Sequence, residues 1–404
     1  MATAAAASLF RHFPFLFFLG SRGFSRIATQ IAAVAVGWQI YEMTDSAFQL
    51  GMVGLVQFLP IAILVFIAGA AADRYDRRRV LQVCQTIEGV VALFLAWGTY
   101  AGWITVPQIF VAMALLGIVT AFENPATAAL LPNAAPQHML QQATAVATAA
   151  TQVAIIGGPA IGGITYGISP SVPYAIMAVL WAVSVIFSGM IDVERTVIEK
   201  EPPTLSVLFA GARFVRNNPA ILGTISLDLF AVLLGGAVAL LPIYARDILQ
   251  IGPLGLGLLR TAPAIGSLAM TAVLARYAIK SGAGMKMFQA VIVFGFATVV
   301  FAVSQTMWLS LIALIVMGAA DTVSVVMRFS LVQLATPDEM RGRVGAVNFL
   351  FINASNQLGQ FESGVTAALM GTVPAAVLGG VGTVLVAFLW MKLFPSLLKV
   401  ERLD

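Results

Sequence analysis

Nine ionisable side chains lie inside stretches that are otherwise apolar: Arg22, Arg26, Glu88, Glu123, Asp228, Arg260, Asp321, Arg328 and Glu362. Arg22 and Arg26 are four residues apart, and Asp321 and Arg328 are seven apart, so each pair falls on one face of a helix. Acids and bases in such surroundings can hold one another, bind a charged ligand, or take up and release protons. Burial disfavours a carboxylate's charged form and a nearby arginine favours it, so a change of partner can change protonation. Nothing in the chain suggests covalent catalysis or metal binding. Both histidines, His12 and His138, sit near the ends of apolar runs, no metal-spaced cluster appears, and no glycine loop is spaced to cradle a phosphate. We expect no enzyme and no cofactor.

The elements that position these charges follow from composition. The chain has 404 residues, 60% of them hydrophobic and 10% charged, with a mean hydropathy of +0.94. A soluble domain of this length carries far more charge on its surface. Twelve apolar runs reach the roughly 20 residues that a helix needs to cross a bilayer. They lie at about 13–41, 47–72, 80–101, 105–128, 139–168, 172–191, 219–244, 253–278, 287–304, 307–333, 344–370 and 374–395. The alternation of a barrel strand is missing, so the spans are helical. Cys84 is the single cysteine and lies in a span, which excludes an internal disulfide. No cleavable signal is evident at the start of the sequence.

The basic loops set the orientation. Arg11, Arg74, Arg77, Arg78, Arg79, Arg195, Lys200, Arg213, Arg216, Arg276, Lys280, Lys286, Arg341 and Arg343 fall on one side, and Arg246 on the other. By the positive-inside rule this makes a multi-pass protein of the cell (inner) membrane with both termini cytoplasmic. The net charge of +4 is thereby explained by topology, and no nucleic-acid partner is expected. A polar stretch at 192–218 separates residues 1–191 from 219–404, six spans on each side. The halves repeat one another weakly. "ADRY" (72–75) answers to "ARY" (275–277), and "PQHM" (136–139) to "PDEM" (337–340), both at an offset of about 201–202 residues.

Between the second and third spans stands "GAAADRYDRRRV" (69–80). Gly69, Asp73, Arg74, Arg77 and Arg78 reproduce G-x-x-x-D-R-x-x-R-R, which resembles the cytoplasmic gate motif of the major facilitator superfamily. Asp76 departs from it, since the family usually has glycine there. In the fifth span "GGPAIGG" (157–163) supplies Gly158, Pro159, Gly162 and Gly163, similar to the antiporter signature of that superfamily's exporters, with Ala154 where the fuller motif has glycine. "FENPATAALLPNAAP" (122–136) and "DEMRGRV" (338–344) resemble the branch of enterobactin exporters and macrolide-efflux proteins.

The resemblance implies an all-α membrane protein of twelve transmembrane helices in two pseudo-symmetric six-helix bundles. It places spans 1, 4, 7 and 10 around a central cavity, where they bring Arg22, Arg26, Glu123, Asp228, Asp321 and Arg328. Depth along the spans suggests Arg22 and Glu123 as a pair. Glu88 falls on a peripheral span and is expected to be only a helix contact. Gly69 is expected to let spans 2 and 11 approach, and Asp73 to face the start of the helix near Val344. The function implied is proton-coupled export of amphipathic drugs or siderophore-like small molecules by alternating access, powered by the proton gradient and carried out by a monomer. A facilitator-type importer or uniporter of a polar nutrient, and a lipid-handling or sensor protein without net transport, stay open as alternatives.

Overall fold

The computed structural model describes residues 9–192, 205–277, 282–337 and 340–398. Thirteen long helices carry these residues: α1 (Phe13–Thr44), α2 (Ala47–Arg74), α3 (Arg77–Tyr100), α4 (Val106–Ala134), α5 (Leu140–Ile168), α6 (Val172–Gly189), α7 (Leu205–Asn217), α8 (Pro219–Leu234), α9 (Gly252–Arg276), α10 (Ala283–Val303), α11 (Met307–Leu334), α12 (Arg341–Met370) and α13 (Thr372–Leu393). Among the described residues there is no strand. All but α7 coincide with the twelve runs read from the sequence. Ten of the described spans are long and apolar enough to cross a membrane by composition. The other two, α1 and α12, are the ones that carry Arg22 and Arg26, and Asn348, Asn353, Asn356, Gln357 and Gln360.

The seventh run is not one straight helix. After α8 the chain passes through a 3-10 turn at Ala237–Leu240, a short turn at Leu241–Ile243 and a π-helical turn at Tyr244–Ile248. Gly235 and Gly236 interrupt the helix where it runs close to neighbours. A Cβ on Gly236 would stand 2.6 Å from the Gly359 carbonyl oxygen, so only glycine fits. Pro242 then has no N–H to continue the ladder.

Helix starts follow local chemistry. Asp76 Oδ1 accepts from the Arg78 backbone N at 3.0 Å and caps α3, which gives a structural reason for an acid where the superfamily motif has glycine. Asn218 caps α8 in the same way, accepting from Ala220 N and Ile221 N.

The chain divides into two compact units, Met1–Met43 with Leu59–Pro203, and Thr44–Phe58 with Thr204–Asp404. In the first, α3 packs on α4 and α6, and Phe15, Phe18, Leu81, Leu130 and Met139 form a buried cluster. In the second, α10 packs on α11 and α13, and α9 on α11, around Leu227, Met287, Phe288, Met327 and Trp390. The beginning of α2 belongs to the second unit. There Gly51 lies against Gly364 of α12, a Cβ on Gly51 falling 2.9 Å from the Gly364 Cα. A linker was expected over 192–218; residues 193–204 lie outside the described ones, and the rest of that stretch is largely α7.

Candidate functional site

In the second unit, α8 carries Asp228 and α11 carries Arg328. The Arg328 Nη1 and Asp228 Oδ1 form an ion pair, with the two side chains only 9% and 10% exposed. A single bond does not satisfy the guanidinium, because Arg328 Nε is buried without a hydrogen-bond partner among the described residues. Asp321 stands two turns back along α11, roughly 10 Å along its axis. It makes no ion pair or hydrogen bond among the described residues. The second unit thus holds a paired acid and a free acid on one side of a guanidinium that has spare donors.

The same unit contains two further charges. Arg260 on α9 also has a buried Nε without a partner among the described residues. Glu362 on α12 accepts from the Thr366 hydroxyl at 2.7 Å, within its own helix. Close packing fixes the α9–α11 register: Gly318 faces the Pro263 backbone, and the Thr322 hydroxyl donates to Ser267 Oγ at 2.8 Å.

In the first unit the expected Arg22–Glu123 pair is not formed. Arg22 Nε donates to Thr151 Oγ1 of α5 at 3.2 Å, and Glu123 Oε1 accepts from the Ser25 hydroxyl at 2.9 Å. Arg26 Nη2 donates to Asn124 Oδ1 at 2.8 Å. The depth argument was sound but incomplete, because helical phase decides contact. On α1, Ser25 is the residue turned to Glu123, while Arg22 is turned to α5. Around this contact lies a polar network that the sequence reading did not name. Trp181 Nε1 donates to Ser25 Oγ at 3.3 Å, and Gln85 Nε2 to Ser21 Oγ at 2.9 Å. Glu88 is no loose peripheral contact: it is 2% exposed, and its Oε2 is buried without a partner among the described residues. Spacing could have exposed this network, since Ser21 and Ser25 are four apart and Gln85 and Glu88 three apart.

The two motifs behave differently. A Cβ on Gly158 would come 2.5 Å from Gln30 Cβ, and one on Gly162 3.1 Å from Val34 Cβ. These glycines, one turn apart, seat α5 on α1 by backbone contact. Gly163 is buried beside them, and α5 continues through Pro159. In the gate motif, Arg78 donates from Nη1 to the Ile191 carbonyl at 2.8 Å and from Nη2 to the Gly189 carbonyl at 2.5 Å. Arg77 Nη1 reaches the Ala129 carbonyl at 3.4 Å. Both arginines thus meet backbone carbonyls at or near helix C-terminal ends, where cations are favoured. Arg74 is exposed. The expected close approach through Gly69 is absent, since a Cβ there would meet nothing within 4 Å; the tight glycine contact of α2 is at Gly51 instead. The side chain of Asp73 lies outside the described residues.

Buried charges on long apolar helices, the glycine seam and the arginine-anchored turn agree with one family. The profile of the transmembrane secretion effector family matches residues 4–404. The chain belongs to that family, within the major facilitator superfamily. It is 25% identical to the uncharacterized MFS-type transporter YvqJ of Bacillus subtilis, over 98% of this chain and 94% of that one. It is 27% identical to the multidrug efflux pump Tap of Mycobacterium tuberculosis, over 88% of each. The enterobactin exporter EntS of Citrobacter koseri is 23% identical, over 95% of this chain and 92% of its own. Among solved structures, that of the nucleoside transporter NupG superposes with a TM-score of 0.74 at 16% identity or less, covering 94% of this chain and 100% of the other. That likeness concerns the fold. The chain is a multi-pass membrane transporter and not an enzyme.

Proposed function

We propose that this transporter exports amphipathic or siderophore-like small molecules in exchange for protons, by alternating access in the inner membrane. Both termini would be cytoplasmic and the working unit a monomer. The observation that carries the reading is the buried Asp228–Arg328 pair with unpaired Asp321 on the same helix. A proton placed on Asp228 cancels one half of the pair and leaves Arg328 to seek another anion. Breaking a buried pair by removing one charge costs about 3–5 kcal/mol, so protonation and the contact between α8 and α11 are strongly linked. Asp321 offers the displaced guanidinium, or an incoming cation, a second carboxylate. Efflux and siderophore-export relatives support the direction of transport.

Arg22, Arg26 and Glu123 would line the substrate path from the first unit, where hydroxyl and amide partners leave their charges uncancelled. Asp73, Arg74, Arg77 and Arg78, with Gly69, would form the cytoplasmic gate. Gly158, Pro159, Gly162 and Gly163 would let α5 rock on α1. The test uses everted membrane vesicles with a proton gradient and a panel of amphipathic dyes and siderophores. At least one compound should accumulate, and a protonophore should abolish the accumulation. Accumulation untouched by the protonophore would defeat proton coupling, and gradient-driven uptake only in right-side-out vesicles would defeat export.

A further inference from the structure

A cleft of about 620 Å³ opens on the flank of the first unit, lined by Tyr75, Arg79, Val83, Ile87, Ile118 and Phe122 among others. Its volume lies in the range of small-molecule sites, yet none of the transport residues discussed above lines it. Along α3, Arg79, Val83 and Ile87 are four residues apart and share one face, a stripe roughly 12 Å long. Val83 is 59% exposed and Ile87 38%, so the stripe faces outward. Ile118 and Phe122 of α4, again four apart, make the opposite wall. The cleft is therefore apolar along its length and cationic at one end.

The three consecutive arginines at the start of α3 are not equivalent. Arg77 and Arg78 are bound to backbone carbonyls. Arg79 is exposed and has no hydrogen-bond or ion-pair partner among the described residues. Asp76, also in the lining, is committed as the cap of α3. A guanidinium with five free donors is suited to a phosphate. We propose that this cleft binds one phospholipid with an anionic headgroup, its phosphate on Arg79 and an acyl chain along Val83 and Ile87. The occupant is a bilayer lipid rather than free phosphate, because the wall below the arginine is apolar and continuous.

Native mass spectrometry of the purified full chain, titrated with phosphatidylglycerol or phosphatidylethanolamine, tests the site. Wild type should retain phosphatidylglycerol in preference to phosphatidylethanolamine. One arginine near an anionic lipid surface contributes about 1 kcal/mol, so Arg79→Gln should weaken phosphatidylglycerol retention about fivefold. Arg74→Gln, which removes an exposed cation outside the cleft, should change retention less than twofold. Val83→Trp keeps every charge but fills the groove, and should also lose the lipid. Unchanged retention by Arg79→Gln, an equal loss by Arg74→Gln, or equal retention of both lipids by wild type would overturn the assignment. The thermal unfolding midpoint of each variant confirms that it is folded, and Arg79→Gln breaks no internal contact.

Discussion

Replacing Asp228 by Asn is the most informative single change. It keeps the volume of the side chain and removes the charge that faces Arg328. Both side chains are about nine-tenths buried, and Arg328 already has a buried Nε without a partner, so water cannot readily take the carboxylate's place. Orphaning a buried charge costs about 3–5 kcal/mol. Asp228→Asn should lose stability on that scale in reversible denaturant unfolding of the purified protein. Arg328→Gln should do the same with the sign of the orphan reversed. The double variant leaves no orphan and should recover roughly 1–3 kcal/mol relative to the sum, the usual coupling for residues in contact. Ethidium or another transported compound gives the functional half of the assay: gradient-driven export should fail in each single variant while binding persists in the folded ones. A loss below about 1 kcal/mol in Asp228→Asn, or additive losses in the cycle, would refute the claim that the pair is a linked unit.

Gly158→Ala should destabilise by about 1–3 kcal/mol through overpacking against Gln30, whereas Gly157→Ala, with open space around it, should be near neutral in the same thermal assay. Arg22→Ala and Glu123→Gln should be additive within about 0.5 kcal/mol, because their hydrogen bonds go to Thr151 and Ser25; coupling above that would restore a direct pair. Asp76→Ala should cost about 0.5–2 kcal/mol as a lost helix cap, and Asp76→Gly only a few tenths, read from unfolding midpoints.

The spans were legible in the sequence because crossing a bilayer demands an uninterrupted apolar length, and length is visible in one dimension. The break in the seventh span was not, since Gly235, Gly236 and Pro242 sit in a run whose hydropathy never falls. Site residues were legible by type: a charge in an apolar helix stands out whatever surrounds it. Their pairing was not, because contact depends on helical phase and on the rotation of each neighbour. That is why Arg22 and Glu123, matched in depth, bond to other residues, while Asp228 and Arg328 meet. Glu88 was underrated for the same reason, as its burial is set by how α3 packs on α4 and α6. Asp76 departs from the gate motif at the position where α3 needs a cap, a role that its type and place could have announced.

The most direct test of proton coupling at the Asp228–Arg328 site is a stopped-flow measurement with a pH indicator in weakly buffered detergent solution. The purified protein is mixed with a compound that the vesicle assay has shown to be transported. Wild type should release protons on mixing, Asp228→Asn and Asp321→Asn should bind the compound with reduced or abolished release, and Glu362→Gln should behave as wild type. Full proton release by both aspartate variants, with binding intact, would contradict the assignment of coupling to this pair of acids.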